Sequence, residues 1–172
     1  MPSSPRIAAA ILAAGTGEPA RLRALATRVC AADVERTAVV LGHSAGALGP
    51  ALHGLPLHLI TNVLHPEGSA AGIRTAVGWA LRSGCDALLL VACEHHHVSA
   101  SHLEHLLAAY RANREVVGSR CVQGLCLPAV FHATHYARLA HLTGDANAST
   151  VLATTPGLVA IDAPERDREL AA

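Results

Sequence analysis

Short, nearly unbroken apolar runs alternate along this chain with segments whose apolar residues recur every three or four positions. The runs 6-RIAAAILA-13, 36-RTAVVLG-42, 57-LHLIT-61 and 86-DALLLVA-92 have the pattern of parallel strands covered on both faces. Alanine is a weak strand former, so the first of these leans on its neighbours. Helical periodicity gathers Leu22, Leu25, Ala26 and Val29 within 19–31, and Ile73, Val77, Ala80 and Leu81 within 69–82. It also gathers Leu103, Leu106, Leu107 and Tyr110 within 101–111, where Ser101 with Glu104 predicts a capping box. The second half is less regular. A strand is predicted over 114–120, a short apolar piece over 125–130, helices over 132–141 and 146–153, and a closing strand over 157–162. This order predicts an α/β, three-layer fold on a mostly parallel sheet. No repeat or linker interrupts it, so residues 1–172 are expected to form a single domain.

Composition supports a packed core and narrows the partners. Half of the 172 residues are apolar (51%) and 15% are charged, a globular balance. One Trp, one Phe and two Tyr leave few stacking platforms for single-stranded nucleic acid. Thirteen basic and thirteen acidic residues cancel, so no basic surface points to nucleic acid or anionic lipid. Arg6 followed by 7-IAAAILAA-14 admits a short signal peptide or a buried first strand; the glycine turn and helical pattern that follow favour the strand. No apolar run reaches the length of a membrane span. Five scattered cysteines without a CxxC pair suit reduced thiols, and a cytoplasmic location is expected; Cys121 and Cys126 flank a turn, but a bridge between them is not expected.

Two segments carry candidate chemistry, and in an open α/β sheet ligands bind beyond the carboxyl ends of the strands. In 12-LAAGTGEPARLR-23 a strand, a small-residue turn and a helix start would present free backbone N–H groups to a phosphate. Gly15 and Gly17 permit close approach, and Arg21 and Arg23 would add positive charge. The second segment is 93-CEHHHV-98. Its carboxylate, imidazoles and thiol would suit a transition metal such as Zn²⁺ or Ni²⁺, with Glu94, His95 and His97 as candidate ligands. In an extended loop His95 and His97 would point one way and Glu94 and His96 the other. Further ligands would come from His65, His43 or Asp162. The same segment also reads as an altered nucleotide-site loop or a plain solvated turn. His102 and His105, three apart on a helix, are expected on its solvent face.

Six segments in order resemble the molybdenum-cofactor nucleotidyltransferases, within the nucleotide-diphospho-sugar transferase (glycosyltransferase-A-like) fold. They are 12-LAAG-15, 62-NVLHPEGSAAGIRTAVGWAL-81, 89-LLVACEHHHVSASHLEHLLAAY-110, 124-GLCLPAVF-131, 142-LTGDANAS-149 and 161-IDAPE-165. The resemblance implies a nucleoside triphosphate, CTP or GTP, on Leu12, Ala13, Ala14 and Gly15, with Gly68 and Arg74 also nucleotide-binding. It implies Mg²⁺ at Glu94 and Asp162, and molybdopterin or a related phosphorylated acceptor attacking the α-phosphorus as pyrophosphate leaves. Catalytic roles are then expected for Glu94, Arg21 and Arg23.

The chain also departs from the family pattern. Pro19 stands at the position of the family's Arg, and the position of its phosphate-touching Lys falls near Ala24. Glu94 replaces Asp, His95-His96 replace Gln-Pro, and Ser149 replaces Arg. Two functions therefore fit. One is an Mg-dependent transfer of CMP or GMP. The other is a catalytically impaired homologue that binds a nucleotide or a transition metal as an accessory protein.

Overall fold

The computed structural model describes residues 4–15 and 17–164. Thr16, in the glycine turn, and Glu165, which closes the last matching segment, lie outside the described residues. The four apolar runs become β1 (Ile7–Ala13), β2 (Arg36–Leu41), β3 (His58–Thr61) and β4 (Ala87–Ala92). The helical patterns become α1 (Pro19–Ala31), α3 (Ser69–Arg82) and α4 (Ala100–Asn113), with a short α2 (Ala45–Leu48) after β2. The later chain forms β5 (Val117–Cys121), β6 (Gly124–His132), α5 (Tyr136–Ala140), α6 (Ala148–Ala153) and β7 (Val159–Asp162).

The seven strands lie in the order β3-β2-β1-β4-β6-β5-β7. Strands β1 to β4 are parallel where they pair, β6 runs antiparallel to β4 and β5, and β7 returns parallel to β5. This is the α/β nucleotide-diphospho-sugar transferase fold. Strand β1 sits near the middle, with Ala9 opposite both Thr37 and Leu89. Ile7 through Ile11 are buried, which is why an alanine-rich run can serve as a strand: close-packed neighbours on both faces leave room for little else. One layer packs Leu22, Leu25 and Val29 of α1 and Leu103 and Leu107 of α4 against odd-numbered positions of β1 and β4. The opposite layer packs Ile73, Val77 and Ala80 of α3, with Leu139 of α5 and Leu152 of α6, against Ala8, Ala10, Leu88 and Leu90.

Three expectations change. The cap of α4 is Ser99, whose hydroxyl accepts from the His102 N–H at 3.1 Å, so the capping box at Ser101 does not form. His102 is buried at 2% exposure, not on the solvent face. Its Nε2 lies 2.8 Å from Ser119 Oγ, and that hydroxyl donates its only proton to the Pro128 carbonyl at 2.6 Å. His102 Nε2 must therefore be the donor, tying α4 to the β5–β6 pair. Finally, the short apolar piece at 125–130 belongs to β6, the longest strand at nine residues, and Cys121 and Cys126 across its hairpin are joined as a disulfide.

Candidate active site

The carboxyl ends of β1, β2 and β4 open into one hollow. Because β1 and β4 are adjacent and parallel, the loop after Leu12 and the turn after Ala92 meet there. The cavity measures about 540 Å³, within the range of small-molecule sites. Leu12, Ala13 and Ala14 line it from one side, Glu94 and His95 from another. Gly42, directly after β2, backs the loop. A Cβ at Gly42 would lie 3.1 Å from the Ala14 carbonyl oxygen, so any larger residue would push the two segments apart by a few tenths of an ångström. Asn62 follows β3 and lines the cavity although it is only 3% exposed. Its Oδ1 accepts from the Leu64 N–H at 3.1 Å, which fixes the amide in one orientation, while the Thr75 hydroxyl beside it donates to the nearer Ala71 carbonyl at 2.9 Å. Ser69, Gly72, Asn147 and Ser149 complete the helical wall, while Gln123, Leu125 and the Cys121–Cys126 pair form the wall at the hairpin.

Several expected site residues stand outside the lining. Gly17 sits behind the loop, its Cα substituent position 3.9 Å from the Cys93 sulfur. Burial, and then the neighbouring Glu94 charge, push that thiol up to about 12, so it stays protonated at neutral pH. Arg21 pairs with Glu18 at 2.8 Å. Arg23 donates to the carbonyls of Ala51 and His53 at 2.6 and 3.1 Å. Arg74 is bound to Glu67 and donates to the Leu142 carbonyl at 2.9 Å. Gly68 adopts φ +101°, and a Cβ there would fall 2.4 Å from the Gly144 carbonyl oxygen. Gly68 and Arg74 thus lock the 67–74 segment to the 142–145 segment and position the wall that Ser69 and Gly72 expose. The chain contains no lysine, and among the described residues no arginine lines the cavity.

The histidine segment does not form an extended loop. Cys93–His95 make a single 3₁₀ turn, after which the His96 and His97 rings lie against each other with centroids 3.7 Å apart. His95 faces the large cavity and, with His97 and His102, a small one beside Cys121 and Pro128. His96 turns toward α1, where its carbonyl accepts from Arg28, and its Nδ1 lies 3.2 Å from the Glu94 carbonyl. Burial, with the neighbouring charges of His97 and Arg21, holds its imidazole below the ordinary value. Asp162 does not line the cavity and lies 3.5 Å from Arg120 across the β5–β7 pair. Among the described residues no group of three or more His, Cys, Asp and Glu is placed to hold a metal ion. The donor set therefore does not fit a zinc or nickel ion bound by protein side chains alone. One carboxylate, Glu94, lines the cavity, and a hard divalent ion that takes most of its oxygens from substrate phosphates and water asks for no more than one or two.

Residues 11–160 match the family of the MobA-like NTP transferase domain. The chain belongs to that family. Solved structures of similar fold include Rv0371c of Mycobacterium tuberculosis H37Rv in complex with manganese, at 21% identity and TM-score 0.74, covering 94% of this chain and 91% of that one. A nucleotidyl transferase from Methanothermobacter, Mth528, aligns at 21% identity and TM-score 0.76, covering 96% and 90%. CMP:2-keto-3-deoxy-manno-octonic acid synthetase complexed with CTP aligns at 9% identity and TM-score 0.67, covering 91% and 89%. No curated protein sequence matches this chain. At these identities the structural likeness speaks for the fold, and the family match places the chain among NTP transferases. No helix among the described residues is long and apolar enough to cross a membrane.

In this NTP transferase domain, some of the lining was missed by sequence reasoning. Gly42 was visible as a glycine ending an apolar strand, and Asn147 as a cap before a helical pattern. The hairpin residues Gln123, Leu125 and Leu127 carried no such signal, since their place at the cavity follows from β6 inserting beside β4.

Proposed function

We propose that this protein transfers a nucleotidyl group, CMP or GMP, from the corresponding triphosphate to molybdopterin or a related phosphorylated acceptor. The observation that carries the proposal is the shared hollow in which the Leu12–Ala14 loop faces Glu94. The small-residue loop lets a triphosphate approach the backbone, and the fixed Asn62 amide offers hydrogen bonding close by. An ionised acceptor phosphate needs no general base, so the protein's part is to align it with the α-phosphorus. A divalent ion bound with the triphosphate at Glu94 would neutralise phosphate charge, and the manganese in the Rv0371c structure supports a divalent ion at this fold. Asp162 would join it only by leaving Arg120.

A second reading has an observation in its favour. Arg21, Arg23 and Arg74 are engaged elsewhere and none lines the cavity, so little fixed positive charge faces a departing pyrophosphate. That pattern fits a nucleotide-binding accessory protein with weak or no turnover.

Calorimetric titration with CTP and with GTP in Mg²⁺ separates these readings from their absence. Saturable heat with pyrophosphate release supports the enzyme, heat without release the accessory protein, and no heat at millimolar nucleotide refutes both. Glu94→Ala is expected to lower any turnover by at least about a hundredfold; unchanged turnover would remove Glu94 from the metal role.

A further inference from the structure

The Cys121–Cys126 pair stands apart from the other cysteines in both place and setting. Cys85 is buried, and Cys93 is sheltered behind the glycine loop with its thiol held protonated. Cys30 and Cys93, like Cys121 and Cys126, are partly exposed, but of the five cysteines only Cys121 and Cys126 line the cavity. Their bridge closes a loop with a sequence separation of only 5, so it removes little freedom from the unfolded chain. Neither residue belongs to the two core layers. The strands beneath the bridge are already held by the β5–β6 ladder and by His102 through Ser119. The bridge therefore acts on what lies above it: the hairpin tip, where Val122 is 75% exposed and Gln123 turns onto the cavity. The ladder shifts register just below, between Gly118 and Ser119, and closes at the Cys121–Gly124 pair, so Val122 and Gln123 lie beyond its last rung.

We propose that Cys121–Cys126 is a thiol–disulfide exchange site whose oxidation state sets the order of the cavity wall at the hairpin. Its co-substrate is a dithiol of the thioredoxin class or a small dithiol equivalent. One reductant thiolate attacks a sulfur of the pair, forming a mixed disulfide as the Cys121–Cys126 bond breaks. The second reductant thiol then closes the reductant's own disulfide. Two electrons and two protons end on Cys121 and Cys126, which become free thiols. Oxidised, the pair holds Gln123 and Leu125 against the hollow. Reduced, the tip is released, and a ligand must order it on binding. The exchange itself stands independently of the proposed function; its effect on nucleotide binding rests on that reading.

The test uses the full chain with dithiothreitol as the dithiol. Alkylation under denaturing conditions, read by intact mass, should count three thiols in protein kept from reductant and five after native incubation with dithiothreitol. Amides of 121–126 should exchange hydrogen about tenfold faster in the reduced form. CTP binding in Mg²⁺ should weaken by about three- to tenfold on reduction. A Cys121→Ser/Cys126→Ser double variant should behave as the reduced form in both buffers. Five thiols without reductant, a pair that resists native reduction, or equal exchange in both states would each overturn the proposal. Absence of CTP binding in both states would refute the nucleotide reading alone, because thiol count and hydrogen exchange still decide this one.

Discussion

The two sides of the cavity are made differently. The side formed by β1, β2 and β4 rests on strands buried on both faces, with Leu89 fully enclosed between Ala9 of β1 and Val130 of β6. The side formed by the β5–β6 hairpin carries half-exposed residues, a register shift and a bridge between its strands. The lesson is a division of labour: the Leu12–Ala14 loop and Glu94 follow directly from core strands, while the facing wall is supported locally. Ligand-contacting segments are commonly drawn from such less stable regions.

Three substitutions would break or sharpen this contrast, each read as the change in urea unfolding free energy. Leu89→Ala should cost about 2–5 kcal/mol, because a fully buried leucine leaves a cavity between packed layers. Ser119→Ala should cost about 1–3 kcal/mol by leaving the buried His102 Nε2 without its acceptor. Leu125→Ala, on the half-exposed wall, should cost about 1 kcal/mol or less while altering ligand binding more than stability. If Leu125→Ala cost as much as Leu89→Ala, the hairpin would be part of the cooperative core and the contrast would fail.

The same contrast separates what was legible in the sequence from what was not. Continuous apolar runs and three-four periodicity located the parallel half because burial on both faces imposes those patterns directly. Pairing of β1 with β4 made the Leu12–Ala14 loop and Glu94 neighbours, a juxtaposition that depends on strand order, which the alternation of strands and helices does not fix. The hairpin was less legible, since β6 mixes buried and half-exposed positions and its place beside β4 depends on contacts distant in sequence. His102 misled for a related reason: a polar residue on a helix reads as solvent-facing unless its partner, here Ser119 on β5, is known. Arg23 also misled, because spacing put it near the phosphate loop while its donors found the Ala51 and His53 carbonyls.

The contact between Gly68 and Gly144 reaches beyond local geometry. With Arg74 bound to both Glu67 and the Leu142 carbonyl, two stretches far apart in the chain share a single anchorage. The wall of the hollow that bears Ser69, Gly72 and Asn147 is therefore built from two segments tied to each other. On the proposed function, variants that change acceptor choice while sparing the fold are expected along the β5–β6 turn rather than in this doubly tied wall.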